Sequence, residues 1–132
     1  MEPVSILLVD DNPILLRIVS AFLRQGGNVC IAGTAGGSEE ALMQAQKLRP
    51  EIVLFGLGTR CLAGLETIAR LRSAIPSSGI IVLGLLDTNS YRYAALEAGA
   101  DDFISKATIS SDLLPAISRV AEILRLRTNP TA

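Results

Sequence analysis

The stretch Val4-Ser5-Ile6-Leu7-Leu8-Val9-Asp10-Asp11-Asn12-Pro13 decides the fold. From Val4 to Val9 the side chains are apolar except for Ser5, with no alternation that would leave one face to water. Such a run reads as a strand covered on both sides, which is the signature of a parallel sheet held between two helix layers. It stops at two carboxylates, and Asn12-Pro13 then leads into a helix. Ile80 to Leu83 is a second run apolar on both faces. Val29 to Ala32, Ile52 to Phe55 and a weaker Phe103 to Ile104 complete the set of strands.

Helical periodicity fills the intervals. Leu15, Ile18, Val19, Phe22 and Leu23 recur at spacings of three and four before Gly26-Gly27 stops the pattern. Ser38-Glu39-Glu40 opens a second helix that runs to Leu48, with Pro50 forbidding extension. A third spans Leu65 to Ala74, and a fourth Ser90 to Ala98 with Gly99 as its stop. The fifth begins near Ser110-Ser111-Asp112 and carries Leu113, Leu114, Ile117, Val120, Ala121 and Leu124, with Pro115 delaying or bending its start. Five strand–helix units joined by short loops make one α/β domain around a doubly wound parallel sheet, over residues 1–127. Residues 128–132 read as a tail or a truncated linker.

Composition narrows the chemistry. The chain has 132 residues, 12 Lys and Arg against 13 Asp and Glu, a formal net charge of −1, and no His. Imidazole acid–base catalysis and His-containing zinc sites are therefore excluded. Balanced charge gives no reason to expect direct nucleic-acid binding or a membrane surface. No apolar run reaches the roughly 18 residues of a membrane span, and the start lacks the basic character of a signal peptide, so the expected location is cytoplasmic. Cys30 and Cys61 have neither metal nor redox spacing and are expected to be small buried hydrophobes.

In doubly wound sheets ligands bind at the carboxyl ends of the strands. There stand Asp10 and Asp11, which are either a hard-cation pair or helix-capping groups. Lys106, after the last strand, is either an anion-holding group beside them or an ordinary solvated lysine. The Gly33-Thr34-Ala35-Gly36-Gly37-Ser38 segment lacks both the dinucleotide fingerprint and the P-loop lysine, and reads as a loop. Tyr91, Arg92 and Tyr93 suit either a protein interface or helix packing. Arg119, Arg125 and Arg127 sit favourably near a helix C-terminus without implying nucleic acid.

Taken together these residues resemble the receiver domain of bacterial two-component response regulators. The resemblance rests on Ile6-Leu7-Leu8-Val9-Asp10-Asp11, Ala35 with Glu39-Glu40-Ala41-Leu42, and Pro50-Glu51-Ile52-Val53-Leu54. Gly64-Leu65-Glu66, Ala95-Leu96-Glu97-Ala98-Gly99-Ala100-Asp101 and Phe103-Ile104-Ser105-Lys106 extend it over essentially the whole chain. It implies a flavodoxin-like three-layer sandwich with five βα units. It also implies a metal-binding acid pair at Asp10 and Asp11, a phosphate-contacting lysine at Lys106, and a switch aromatic at Phe103. The histidine of such a system resides on a partner kinase.

The departures lie where the resemblance puts the chemistry. Gly56 stands at the phosphoacceptor aspartate, Gly84 at the switch hydroxyl, Leu85 at the small residue after it, and Thr59-Arg60 at a Met-Pro pair. Gly56 has no side chain to phosphorylate, and Phe55, Leu57 and Gly58 offer no nucleophile in its stead. An acid missing about 4 Å from a divalent cation forfeits roughly 8 kcal/mol of gross attraction at an effective dielectric of ~20. No cofactor is therefore expected, the Mg²⁺ site at Asp10 and Asp11 is weak or vestigial, and Lys106 pairs with one of the two aspartates.

The expected function is that of a non-enzymatic, atypical receiver acting by phosphorylation-independent protein contacts in signal transduction or transcription regulation. The expected partner is another copy, a histidine kinase or an effector domain, with a DNA-binding domain downstream in a longer parent. Two alternatives stand beside it: phosphoryl acceptance on Asp10 or Asp11, and a small-molecule site in the space vacated at Gly56 and Gly84, against which Leu85 could fold inward.

Overall fold

In the computed structural model, residues 2–58, 61–85 and 88–128 are described. Five strands alternate with five helices: β1 Val4–Val9, α1 Pro13–Gly26, β2 Val29–Ala35, α2 Ser38–Leu48, β3 Ile52–Leu57, α3 Cys61–Ala74, β4 Gly79–Gly84, α4 Asn89–Ala98, β5 Asp102–Ser105 and α5 Ile109–Thr128. A 3₁₀ turn, Lys106–Thr108, precedes α5. All strand pairs are parallel, in the order β2-β1-β3-β4-β5. The order reverses between β1 and β3, so the crevice at their carboxyl ends is where this topology places a site.

The pleat sorts side chains into two cores. Ile6 and Leu8 of β1, Ile52 and Leu54 of β3, and Ile81 and Leu83 of β4 pack against Val19 and Leu23 of α1 and Leu113, Ile117 and Val120 of α5. Their neighbours Leu7, Val9, Val53, Phe55, Ile80 and Val82 pack on the opposite face against α2, α3 and α4 through Ala41, Ala45, Ile68, Leu71 and Ala95. β4 is buried along its whole length.

The elements differ from the sequence expectation mainly at their ends. β2 continues to Ala35 because Gly33, a poor strand former alone, and Thr34 pair with Leu7 and Leu8; an extra residue, Ala32, bulges where the register shifts. α3 starts at Cys61 rather than Leu65, since its first turn exposes Leu62 and contributes no apolar period. α5 starts early rather than late, running from Ile109, so Pro115 falls beyond the first turn without ending the helix. Gly37, not Ser38, caps α2 and offers no side chain; Glu40 in the first turn reaches back to accept the Gly36 N–H at 2.8 Å, which fixes the chain entering the helix. Cys30 is exposed, against the expectation of burial. It lies on an edge strand whose other face, Val29 and Ile31, packs toward the core. The side chain of Cys61, the Thr59-Arg60 pair and residues 129–132 lie outside the described residues.

Two polar clusters close the amino ends of the strands. Arg72 of α3 donates to the carbonyls of Pro76, Ser78 and Gly99 and pairs with Asp101 at 2.6 Å, while Asp101 also accepts the Ile80 N–H. Gly99 ends α4 at φ +125°, a conformation that costs a Cβ-bearing residue. Arg125 of α5 binds Glu51 through Nε and Nη2, both at 3.0 Å, and the Glu51 N–H donates to Ser5 Oγ at 2.9 Å.

The Arg125 guanidinium holds the Glu51 carboxyl below its ordinary value of 4.5, its hydrogen bond outweighing the opposing desolvation. A depressed carboxyl stabilises the fold above its unfolded-state pKa, and the contribution is lost as pH falls through the folded-state value. Both side chains are about one-third exposed, so solvent screening holds the effect to ~1 kcal/mol. Arg125→Met is expected to lose that amount in urea unfolding at pH 7, and the gap to the native chain should close as the pH drops below 4.5.

Candidate functional site

Strand register assembles the site. Val9 lies beside Phe55, Leu57 beside Gly84, and Gly84 beside Ser105. Asp10, one residue past β1, therefore stands next to Gly56, and Lys106, one residue past β5, reaches the same crevice.

Asp10 is 4% exposed. A carboxylate this deep needs partners for its oxygens, and it has one for each. Oδ1 accepts the Asn12 N–H at 2.8 Å, and Oδ2 accepts Lys106 Nζ at 3.0 Å. Asn12 in turn caps α1, its Oδ1 accepting the N–H groups of Ile14 and Leu15. The capping reading and the charge-pairing reading of this segment thus both hold, on different residues. Lys106 is itself largely covered, with 15% of its side chain exposed, so it is not a freely solvated lysine. Asp11 points to solvent and takes no part in the pair.

Gly56 is where Asp10 finds room. A Cβ placed on Gly56 would lie 1.8 Å from Asp10 Oδ2 and 2.6 Å from its Cγ. The carboxylate occupies the volume that any side chain at 56 would need. The same relation recurs at Gly84, where a Cβ would lie 2.1 Å from Phe103 Cζ. The Phe103 ring is buried on Gly84, and Arg92 of α4 covers it with its guanidinium 5.0 Å from the ring centroid while donating to the Phe103 carbonyl at 3.1 Å. Leu85 does not fold inward; it is 52% exposed, because the space at Gly84 is already taken.

The arrangement does not suit a divalent cation. Hard cations want several charged oxygens, yet the Asp10 charge is already answered by the Lys106 ammonium, which would repel a cation placed beside it. Among the described residues no group of three acids, cysteines or histidines gathers. The small void bordering Asp10 is about 10 Å³, no more than a single water requires.

The other singled-out residues divide. Tyr91 packs against the core, Tyr93 is 68% exposed, and Arg92 belongs to the Phe103 contact. Sequence reasoning missed this role for Arg92, since nothing in the α4 pattern places its first turn over β5. Arg119 pairs with Asp102 and Arg125 with Glu51. Gly33 to Ala35 belong to β2 rather than to a loop. No helix of the described residues is long and apolar enough to cross a membrane.

Comparison with known proteins places these features in a family. Residues 6–118 match the response regulator receiver domain. The chain is 36% identical over 106 residues to the Probable transcriptional regulatory protein TcrX of Mycobacterium tuberculosis, covering 80% of this chain and 44% of that protein. It is 32% identical over 120 residues to the nitrate/nitrite response regulator protein NarL of Escherichia coli, covering 91% and 56%. The chain thus spans about half the length of these curated relatives. A CheY-like response regulator receiver domain protein from Methanospirillum hungatei has the same fold, with a TM-score of 0.80 over 96% of this chain and 99% of that one at 23% identity.

Removing the ammonium from a buried pair strands a charge, which costs about 3–5 kcal/mol. Lys106→Met should lose stability on that scale in chemical denaturation, and the double variant Asp10→Asn/Lys106→Met should recover most of it. Gly84→Thr forces the Phe103 ring from its seat at an overpacking cost of about 1–3 kcal/mol. Loss of ring-current shifts on the methyl groups around Phe103 would report the displacement by NMR.

Proposed function

The chain belongs to the response regulator receiver domain family, and from that membership we propose that it is an atypical receiver whose signalling state is set by protein contacts rather than by an aspartyl phosphate. One observation carries the reading: at Gly56, the position that the family resemblance matches to the acceptor, there is no nucleophile, and the Asp10 carboxylate fills the volume where an acceptor side chain would stand. Lys106, which would contact phosphoryl oxygens in the resemblance, already neutralises that carboxylate. An incoming phosphoryl group would find an ion pair in place of an acceptor and a metal. On this reading the domain is not an enzyme and needs no cofactor, and any Mg²⁺ affinity is residual.

The seating of Phe103 on Gly84 under Arg92 supports a single, fixed arrangement of β5 and α4. The partner surface proposed is the exposed side of α4, where Tyr93 and Leu96 stand one turn apart at 68% and 40% exposure. Another copy of the chain, a kinase or an effector domain are the candidate occupants. The relatives' names, a transcriptional regulatory protein and a nitrate/nitrite response regulator, support a place in signal transduction and transcription, and a cytoplasmic location is part of the same proposal. In that reading residues 1–127 are the receiver unit, 128–132 lead toward a DNA-binding domain in a longer parent, and this domain does not itself touch nucleic acid. The ion pairs of Arg119 and Arg125 favour that last point, because they commit both guanidinia to carboxylates.

Incubation with Mg²⁺ and acetyl phosphate should leave the intact mass unchanged. A gain of one phosphate that disappears in Asp10→Ala or Asp11→Ala would establish the phosphoryl-accepting alternative instead. Gly56→Asp should lower stability in the absence of metal, since it pushes a second carboxylate against Asp10. Mg²⁺ should then raise the melting temperature of Gly56→Asp and not of the natural chain. A metal response equal in both proteins would show that the third strand end does not border the site.

A further inference from the structure

We propose that the cleft between α1 and the outer strand β2 is a binding site for a dianionic phosphate group. The cleft has a volume of about 360 Å³ and is lined by Pro13, Leu16, Arg17, Ser20, Arg24 and Thr34. Helix α1 contains no acidic residue, so its two arginines are its only charges. They stand seven residues apart, which is two turns on one face and about 10.5 Å along the axis. Ser20 lies between them, and guanidinium groups bending inward from both sides can meet over it.

The state of these groups sets them apart. Arg70, Arg72, Arg119 and Arg125 each hold a carboxylate at 2.6 to 3.0 Å. Neither Arg17 nor Arg24 has a partner among the described residues. Ser20 is 8% exposed, its hydroxyl makes no hydrogen bond there, and yet no side-chain oxygen of the described residues is both sealed and unpaired. The Ser20 hydroxyl therefore opens on the cleft. Thr34, exposed on β2 beside it, adds a second hydroxyl.

Two guanidinium forks and two hydroxyls, with no carboxylate in the lining, are donors to spare and no anion to receive them. That set matches the oxygens of a phosphate better than those of a lone carboxylate, because a dianion can accept two bidentate pairs at once. Asp11, the acid nearest in sequence, does not line the cleft. Pro13 and Leu16 give it an apolar wall, against which the organic part of a phosphomonoester would rest. None of the six lining residues belongs to the Asp10–Lys106 pair, so the inference is independent of the reading given for that pair.

Titrations of the ¹⁵N-labelled chain with inorganic phosphate, with phenyl phosphate and with chloride at matched ionic strength test the site. Saturable shifts confined to Arg17, Ser20, Arg24 and Thr34 are expected with one or both phosphates and not with chloride. Each of Arg17→Gln and Arg24→Gln should weaken binding about tenfold, the scale of one charge-assisted contact. Both arginines are exposed, so the remaining resonances should superimpose on those of the natural chain. Tighter binding of phenyl phosphate identifies a phosphomonoester as the ligand, and equal or tighter binding of inorganic phosphate identifies free phosphate. Shifts that do not saturate, that chloride reproduces, or that survive either substitution at unchanged affinity overturn the proposal.

Discussion

The Asp10–Lys106 ion pair is the constraint around which the carboxyl end of the sheet is arranged. The two residues are 96 positions apart in sequence and stand just past the first and the last strand. A buried carboxylate is tolerated only when its charge is answered, so wherever Asp10 sits, Lys106 must be able to reach it. This ties the end of β1 to the end of β5 across the two intervening strands. It also fixes the entry to α1, because the second oxygen of Asp10 holds the backbone of Asn12 and Asn12 holds the first turn of the helix.

Gly56 and Gly84 make that arrangement sterically possible, and they do so in the same manner. Neither has the positive φ that would require glycine for its backbone. Each lacks a side chain so that a neighbour's can occupy the position: the Asp10 carboxylate at one, the Phe103 ring at the other. The consequences differ in kind. At Gly56 a polar group gains a place to meet its counter-charge, and at Gly84 an aromatic ring gains a buried seat with a cation over its face. Space at the strand ends has been reassigned among residues already present rather than opened to solvent.

The strands and the sheet class were legible because burial on two faces leaves an unmistakable run of apolar residues, as at Ile80 to Leu83. The helix ends were less so. Leu62 carries an apolar side chain without burying it, and the turn preceding α5 consists of residues with no apolar period. Cys30 was misjudged because residue type speaks of average burial, whereas the edge position of β2 decides it. At the site, the identities of Asp10, Gly56, Gly84, Phe103 and Lys106 could be picked out one by one. Which oxygen meets which donor, and that a glycine's missing side chain is replaced from across the crevice, depends on register between strands. Register is a tertiary property that no single stretch encodes.

The bulge at Ala32 bears on how this chain behaves in a crowd of its own kind. β2 is an outer strand of seven residues, Val29–Ala35, without a single charge. An uncharged, regular edge of that length is a template on which another molecule's strand can align and propagate a sheet. One extra residue in mid-strand breaks the spacing of the outward N–H and C=O groups, so an incoming strand that fits one half is out of phase with the other. At this edge it is irregular backbone, and not a charged side chain, that stands against such pairing.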